Sequence, residues 1–107
     1  MHKFLVQVGY TADGLKGLMN DKAAGRAVAV KKAAASVGGK LEALYWALGD
    51  NDAIAILDLP DAESAAALAI AISASGLART KTTRLLTADE VDVALQKVVK
   101  YQMPGKK

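Results

Sequence analysis

Apolar and polar residues alternate from Lys3 to Gly9, with Phe4, Val6 and Val8 on one face, which predicts a first strand. Tyr10 follows, and Thr11 is placed to cap a helix whose first turns are weakened by Gly14 and Gly17. Asn20, Asp21 and Gly25 predict a break before a stronger helix from Arg26 to Val37. In that segment Ala27, Val30, Ala34 and Val37 recur at helical spacing, while Lys31, Lys32 and Ser36 fall off the stripe. Gly38-Gly39 ends the helix, because the residue after a helix often needs a positive φ. Lys40 to Gly49 and Asp52 to Leu59 predict the second and third strands, joined by the turn Gly49-Asp50-Asn51-Asp52. Pro60 ends the third strand, Asp61 caps a helix from Ala62 to about Ser75, and Gly76 stops it. Arg79 to Leu86, rich in Thr, predicts a fourth strand. Thr87-Ala88-Asp89-Glu90 is a capping box opening a last helix with Val91, Leu95 and Val98 on one stripe. Residues 102–107, with Pro104 and Gly105, are expected to fray.

The order strand, helix, strand, strand, helix, strand, helix, with right-handed crossovers, predicts a ferredoxin-like α+β sheet with an extra C-terminal helix, in one domain over residues 1–107. The helices then cover one face of the sheet. The hairpin pattern makes the other face informative. Leu44, Trp46 and Leu48 alternate with Leu41, Ala43, Tyr45 and Ala47, and Ile54 and Ile56 alternate with Ala53, Ala55, Leu57 and Leu59, so neither hairpin face is polar. A sheet wetted on one side shows apolar-in, polar-out alternation, and a monomer seldom exposes an apolar face above roughly several hundred Å². A two-fold dimer packed face to face resolves this. The competing arrangement folds the last helix under the sheet. The helix Ala62–Ser75 is apolar nearly all round, which predicts burial on more than one side.

Composition narrows the function classes. The chain has 107 residues, 52% apolar and 23% charged, enough for a core without staples. It has no cysteine, so disulfides, thiolate metal sites and thiol nucleophiles are excluded together. The net charge is +3, with the basic residues spread along the chain and interrupted by acidic ones, which predicts solvated faces and no nucleic-acid partner. The start Met1-His2-Lys3 leads into a strand instead of a signal peptide, and the longest apolar run, Ala65–Ile72, is too short to span a membrane. The expectation is a cytoplasmic protein with no membrane partner.

Few residues offer chemistry. His2 is the single histidine, too few for a His-rich metal site, so no metal and no cofactor are expected. No nucleophile elbow, dinucleotide fingerprint or phosphate loop is present. Asp50 and Asp52 suit a tight turn. The most chemically loaded segment is Arg79-Thr80-Lys81-Thr82-Thr83-Arg84. Alternation puts Arg79, Lys81 and Thr83 on one face and Thr80, Thr82 and Arg84 on the other; a set facing an interior would supply cations and hydroxyls to an anionic or oxygenated ligand, and a set at a sheet edge would discourage edge pairing. Tyr10, Tyr45 and Trp46 are the aromatic candidates for a pocket wall.

The stretch Tyr45-Trp46-Ala47-Leu48-Gly49-Asp50-Asn51-Asp52, then Pro60 and Ser64-Ala65-Ala66, resembles the bacterial GYD domain family. So do Gly76 with Arg79-Thr80-Lys81-Thr82-Thr83, Leu85-Leu86-Thr87, Gly9-Tyr10-Thr11 and Gly25-Arg26-Ala27. The resemblance implies a dimeric α+β barrel and no particular activity. Gly49 and Asp52 fit the family turn, whereas Asn51 stands where the family pattern has Tyr. The reading that follows is a homodimer binding a small organic ligand, with Tyr10, Tyr45, Trp46, Arg79 and Lys81 as site candidates. The alternatives are a cofactor-independent monooxygenase- or isomerase-like enzyme and a purely structural module. A cavity of about 300 Å³ or more lined by these residues would favour the ligand.

Overall fold

The computed structural model describes residues 1–105. Its elements run β1 (His2–Tyr10), α1 (Ala12–Ser36), β2 (Lys40–Trp46), β3 (Ala53–Leu59), α2 (Ala62–Ala74), β4 (Ala78–Leu85) and α3 (Ala88–Leu95). The four strands form one antiparallel sheet in the order β2-β3-β1-β4. This is the ferredoxin-like α+β arrangement with an added C-terminal helix. Residues 96–105 hold no helix or strand, and 106–107, the end of the expected frayed tail, lie outside the described residues.

Local chemistry explains where the elements begin and end. Thr11 caps α1 by accepting the Gly14 N–H at 3.1 Å, and Asp61 caps α2 by accepting the Ser64 N–H at 2.8 Å. The Ser64 hydroxyl, and after it the Ser64 N–H, bonded to Asp61, hold its carboxyl below the usual range. Gly38 and Gly76 take positive φ, 81° and 73°, where α1 and α2 stop. The expected break in α1 falls at Lys22, whose φ of 65° and ψ of 165° interrupt an otherwise continuous helix.

The core lies between the sheet and the helix layer formed by α1 and α2. Phe4, Val6, Ala55, Leu57 and Leu59 point inward from β1 and β3, against Ala34 of α1 and Ala65 of α2. The expected α1 stripe is borne out, with Ala34 buried and Ala27, Val30 and Val37 half-buried. The opposite sheet face carries Lys3, Leu5, Gln7, Ile54, Ile56 and Tyr45, in register across the strands. At one corner of it Lys3 bridges Asp58 at 2.8 Å and Glu42 at 3.0 Å, which raises the Lys3 pKa.

Three expectations need correction. First, β2 ends at Trp46, so Leu48 lies in the turn and is exposed. A bulge between Leu41 and Ala43 moves Leu41 to the helix side, where it packs against the core. The apolar part of the open face is therefore narrower than strict alternation predicts. Second, α2 buries only Ala65 fully, while Ala66, Ala67, Ala71 and Ile70 remain exposed, Ile70 at 69%. Third, α3 does not fold under the sheet. It ends at Leu95, before Val98, and buries none of its residues. Its start is tied back by the capping box and by Arg84, which sits 5.8 Å from the Phe4 ring and bonds Glu90 at 2.7 Å.

The chain is extended. Its radius of gyration is 17.2 Å, against about 13 Å for a compact chain of this length. Its accessible surface is 7638 Å², against about 5,700 Å² for a compact monomer of its mass.

Candidate functional site

The helix layer does not close fully on the sheet. Between them lies a cavity of about 120 Å³, smaller than the expected figure of about 300 Å³, and of the five expected residues only Tyr10 lines it. Its floor is the inward face of β1 and β3, including Val6, Val8, Ala53 and Ala55, and its roof is made by Ala29, Val30 and Ala33 of α1 with Leu68, Ala69 and Ile72 of α2. The void exists because alanine occupies facing positions on both layers, where larger side chains would interdigitate. An apolar cavity of roughly 150 Å³ stays dry and accepts benzene, so this one is on the scale of a single ring.

Three lining residues carry polar groups: Tyr10 at the end of β1, Thr82 on β4 and Arg26 on α1. Among the described residues Arg26 is the one charged side chain of the lining, and the lining contains neither a carboxylate nor an imidazole. The arrangement offers an apolar enclosure, hydroxyl groups and one cation. Arg26 follows the α1 break closely and pairs with Asp21 at 3.5 Å. The sequence reading missed Arg26 as a site residue. Its signal was its spacing, four residues before Val30 and eight before Ala34, which puts a charged residue on the buried stripe directly after the break.

The structure does not bring the expected site residues together. Tyr10 lines the cavity. Arg79 and Lys81 lie on the open sheet face, across from Gly9 and Gln7, in a shallow depression of about 300 Å³ that Asp50, Asn51 and Thr80 complete. Its volume reaches the expected figure, but no aromatic residue lines it. Tyr45 also points to the open face and is 70% exposed, and Trp46, opposite Ala53, lies at the sheet edge on the helix side. His2 is exposed, as expected, and its Nδ1 accepts from the Arg84 guanidinium at 2.8 Å. Gly49, at φ 142°, and Asp52 form the turn beside the end of β1. Among the described residues no cluster of His, Asp or Glu could hold a metal ion, and no helix is long and apolar enough to cross a membrane.

The GYD domain family model matches residues 4–95, from the first strand to the end of α3. The chain belongs to the GYD domain family. No curated protein and no solved structure matches it. In this GYD domain the matched segment includes the Gly49–Asp52 turn, the cavity and the Arg79–Lys81 depression, while residues 96–107 lie beyond it.

Proposed function

We propose that this GYD domain is a homodimer that binds a small apolar molecule between its helix layer and its sheet. The observation that carries the binding role is the alanine-lined cavity. Ala53 and Ala55 on the sheet face Ala29, Ala33 and Ala69 on the helices, so the space is left by side-chain choice on both layers. A tightly packed interior seldom tolerates such a void without a cost in stability. A ligand that fills it recovers those contacts.

The dimer is supported by surface. Leu5, Ile54, Ile56 and Tyr45 supply an apolar strip on the open face, and a second copy of the same face complements it.

The test of binding is an NMR titration of the chain with benzene, alongside the variant Ala69→Leu. Binding predicts shifts confined to amides around Val8, Val30 and Leu68, and Ala69→Leu abolishes them while keeping the fold. Absence of shifts in the wild type, or shifts that survive in the filled variant, overturns the reading.

A further inference from the structure

Arg26 gives the cavity a chemical preference. We infer that the ligand is an organic anion: an apolar body of about one ring bearing a carboxylate that takes Arg26 from Asp21. This rests on the cavity reading above. Arg26 lines the cavity, and among the described residues its one ion pair is with Asp21, at 3.5 Å. That is longer than the 2.7–2.9 Å of a charge-assisted hydrogen bond, and both side chains are partly open to water, at 35% and 43%. The guanidinium carries five N–H donors in a fixed fork, and no hydrogen bond from it is formed among the described residues beyond this loose pair. A carboxylate arriving from the cavity meets a planar, bidentate receptor whose present partner is weakly held.

Asp21 is itself held in an unusual place. The next residue, Lys22, adopts φ 65° and ψ 165°, a region occupied almost solely by glycine. Asp21 therefore reaches Arg26 across a break in the helix, at i and i+5, instead of from the adjacent turn. The pair acts as an internal stand-in for the ligand's carboxylate. Removing Asp21 frees Arg26 for the ligand, and removing Arg26 erases the preference for anions without closing the cavity.

The experiment compares benzoate with benzyl alcohol, of matched size and shape, by NMR titration of the full chain. Benzoate is expected to bind about 10-fold tighter than the alcohol. Arg26→Gln is expected to bring the two to within about 2-fold, chiefly through loss of benzoate affinity. Asp21→Asn is expected to tighten benzoate by about 2- to 5-fold, with no effect on the alcohol. Equal wild-type affinity for the two, or a benzoate preference that survives Arg26→Gln, overturns the inference and leaves the cavity reading standing. A benzoate preference that vanishes in Arg79→Gln/Lys81→Gln instead places the anion on the open face and also overturns it. Failure of both compounds to bind removes this inference together with the reading beneath it.

Discussion

The Asp52 carboxylate accepts the backbone N–H of Tyr10 at 2.7 Å. The same residue donates its own N–H to the Val8 carbonyl at 2.8 Å and accepts the Ala47 N–H at 2.9 Å. One turn residue thus fastens the β2–β3 hairpin to the end of β1, where Val8 and Tyr10 line the cavity. Asp52→Ala leaves the partly buried Tyr10 N–H without its acceptor, a loss of about 1–3 kcal/mol. Asp52→Asn keeps an acceptor oxygen and costs less. Urea denaturation of the two variants against the wild type measures the difference, and equal midpoints would deny Asp52 this role.

Gly14 supplies a second expectation, opposite in sign to helix propensity. It lies in the first turn of α1, where Ala is favoured over Gly by about 1 kcal/mol. A Cβ there would fall onto the Leu77 carbonyl and within 3.1 Å of the Tyr10 ring. That carbonyl already accepts the Thr11 N–H at 2.9 Å, so it is not free to move. Gly14→Ala is expected to destabilise by about 1–3 kcal/mol, as overpacking does. A raised melting temperature would show that the close approach is relaxed in solution.

Gly14 also illustrates what was legible in the chain. Local signals were: the caps at Thr11, Asp61 and Thr87, the stops at Gly38 and Gly76, and the break before Gly25 each rest on a few adjacent residues. The strand order followed from those elements and the handedness of crossovers. Gly14 read as a weakness because its reason, the Leu77 carbonyl, lies 63 residues away in sequence. The bulge beside Glu42 was hidden for a similar reason, since register depends on the partner strand. The cavity was illegible because it arises from alanines on four separate elements, each unremarkable alone. Tyr10, a candidate for its aromatic character, lies in the lining of the cavity, whereas Arg79 and Lys81 share one face as alternation predicts, but on the opposite side of the sheet from the cavity.

Lys22 stores backbone strain that glycine would relieve. Its φ and ψ, 65° and 165°, are costly for a residue with a Cβ, by about 1–3 kcal/mol. Glycine gives back about 0.4–1 kcal/mol through its freer unfolded chain. Lys22→Gly is therefore expected to stabilise by about 1 kcal/mol, and Lys22→Ala by nothing. Thermal denaturation of both variants checks this, and a stabilising alanine would show that Lys22 adopts an ordinary helical conformation.

The capping box of α3 predicts a local response to acid. The Thr87 N–H, and after it the Arg84 guanidinium, hold the Glu90 carboxyl at about 2, well below its ordinary 4.5. A carboxylate whose folded pKa is depressed stabilises above its unfolded value and loses that contribution as pH falls through the folded one. The contribution is thus complete above about pH 4.5 and fades toward pH 2. Because α3 buries none of its residues, the loss should be confined to Ala88–Leu95, read as amide shifts drifting toward random coil. Glu90→Gln should remove this drift and leave α3 frayed at neutral pH. A helix that persists unchanged to pH 2 in both proteins would separate α3 from its cap.

The proposed sheet-to-sheet pairing makes the sharpest demand on Ile54. It sits on the open face of β3, between Gln7 of β1 and Tyr45 of β2, near the middle of the exposed strip. In an isolated protomer its half-buried side chain touches only the surface of one sheet, and Ile54→Lys should cost little, since the ammonium can reach water. In a face-to-face dimer the same lysine meets its own copy or an apolar partner surface, where an unpaired charge is strongly unfavourable. The wild type is therefore expected to scatter light as a dimer at micromolar concentration. Ile54→Lys should scatter as a monomer with an unchanged far-ultraviolet circular dichroism spectrum. Leu95→Lys is the companion measurement, because α3 is exposed without belonging to that face. A dimer broken by Leu95→Lys and untouched by Ile54→Lys would move the interface from the sheet to the C-terminal helix.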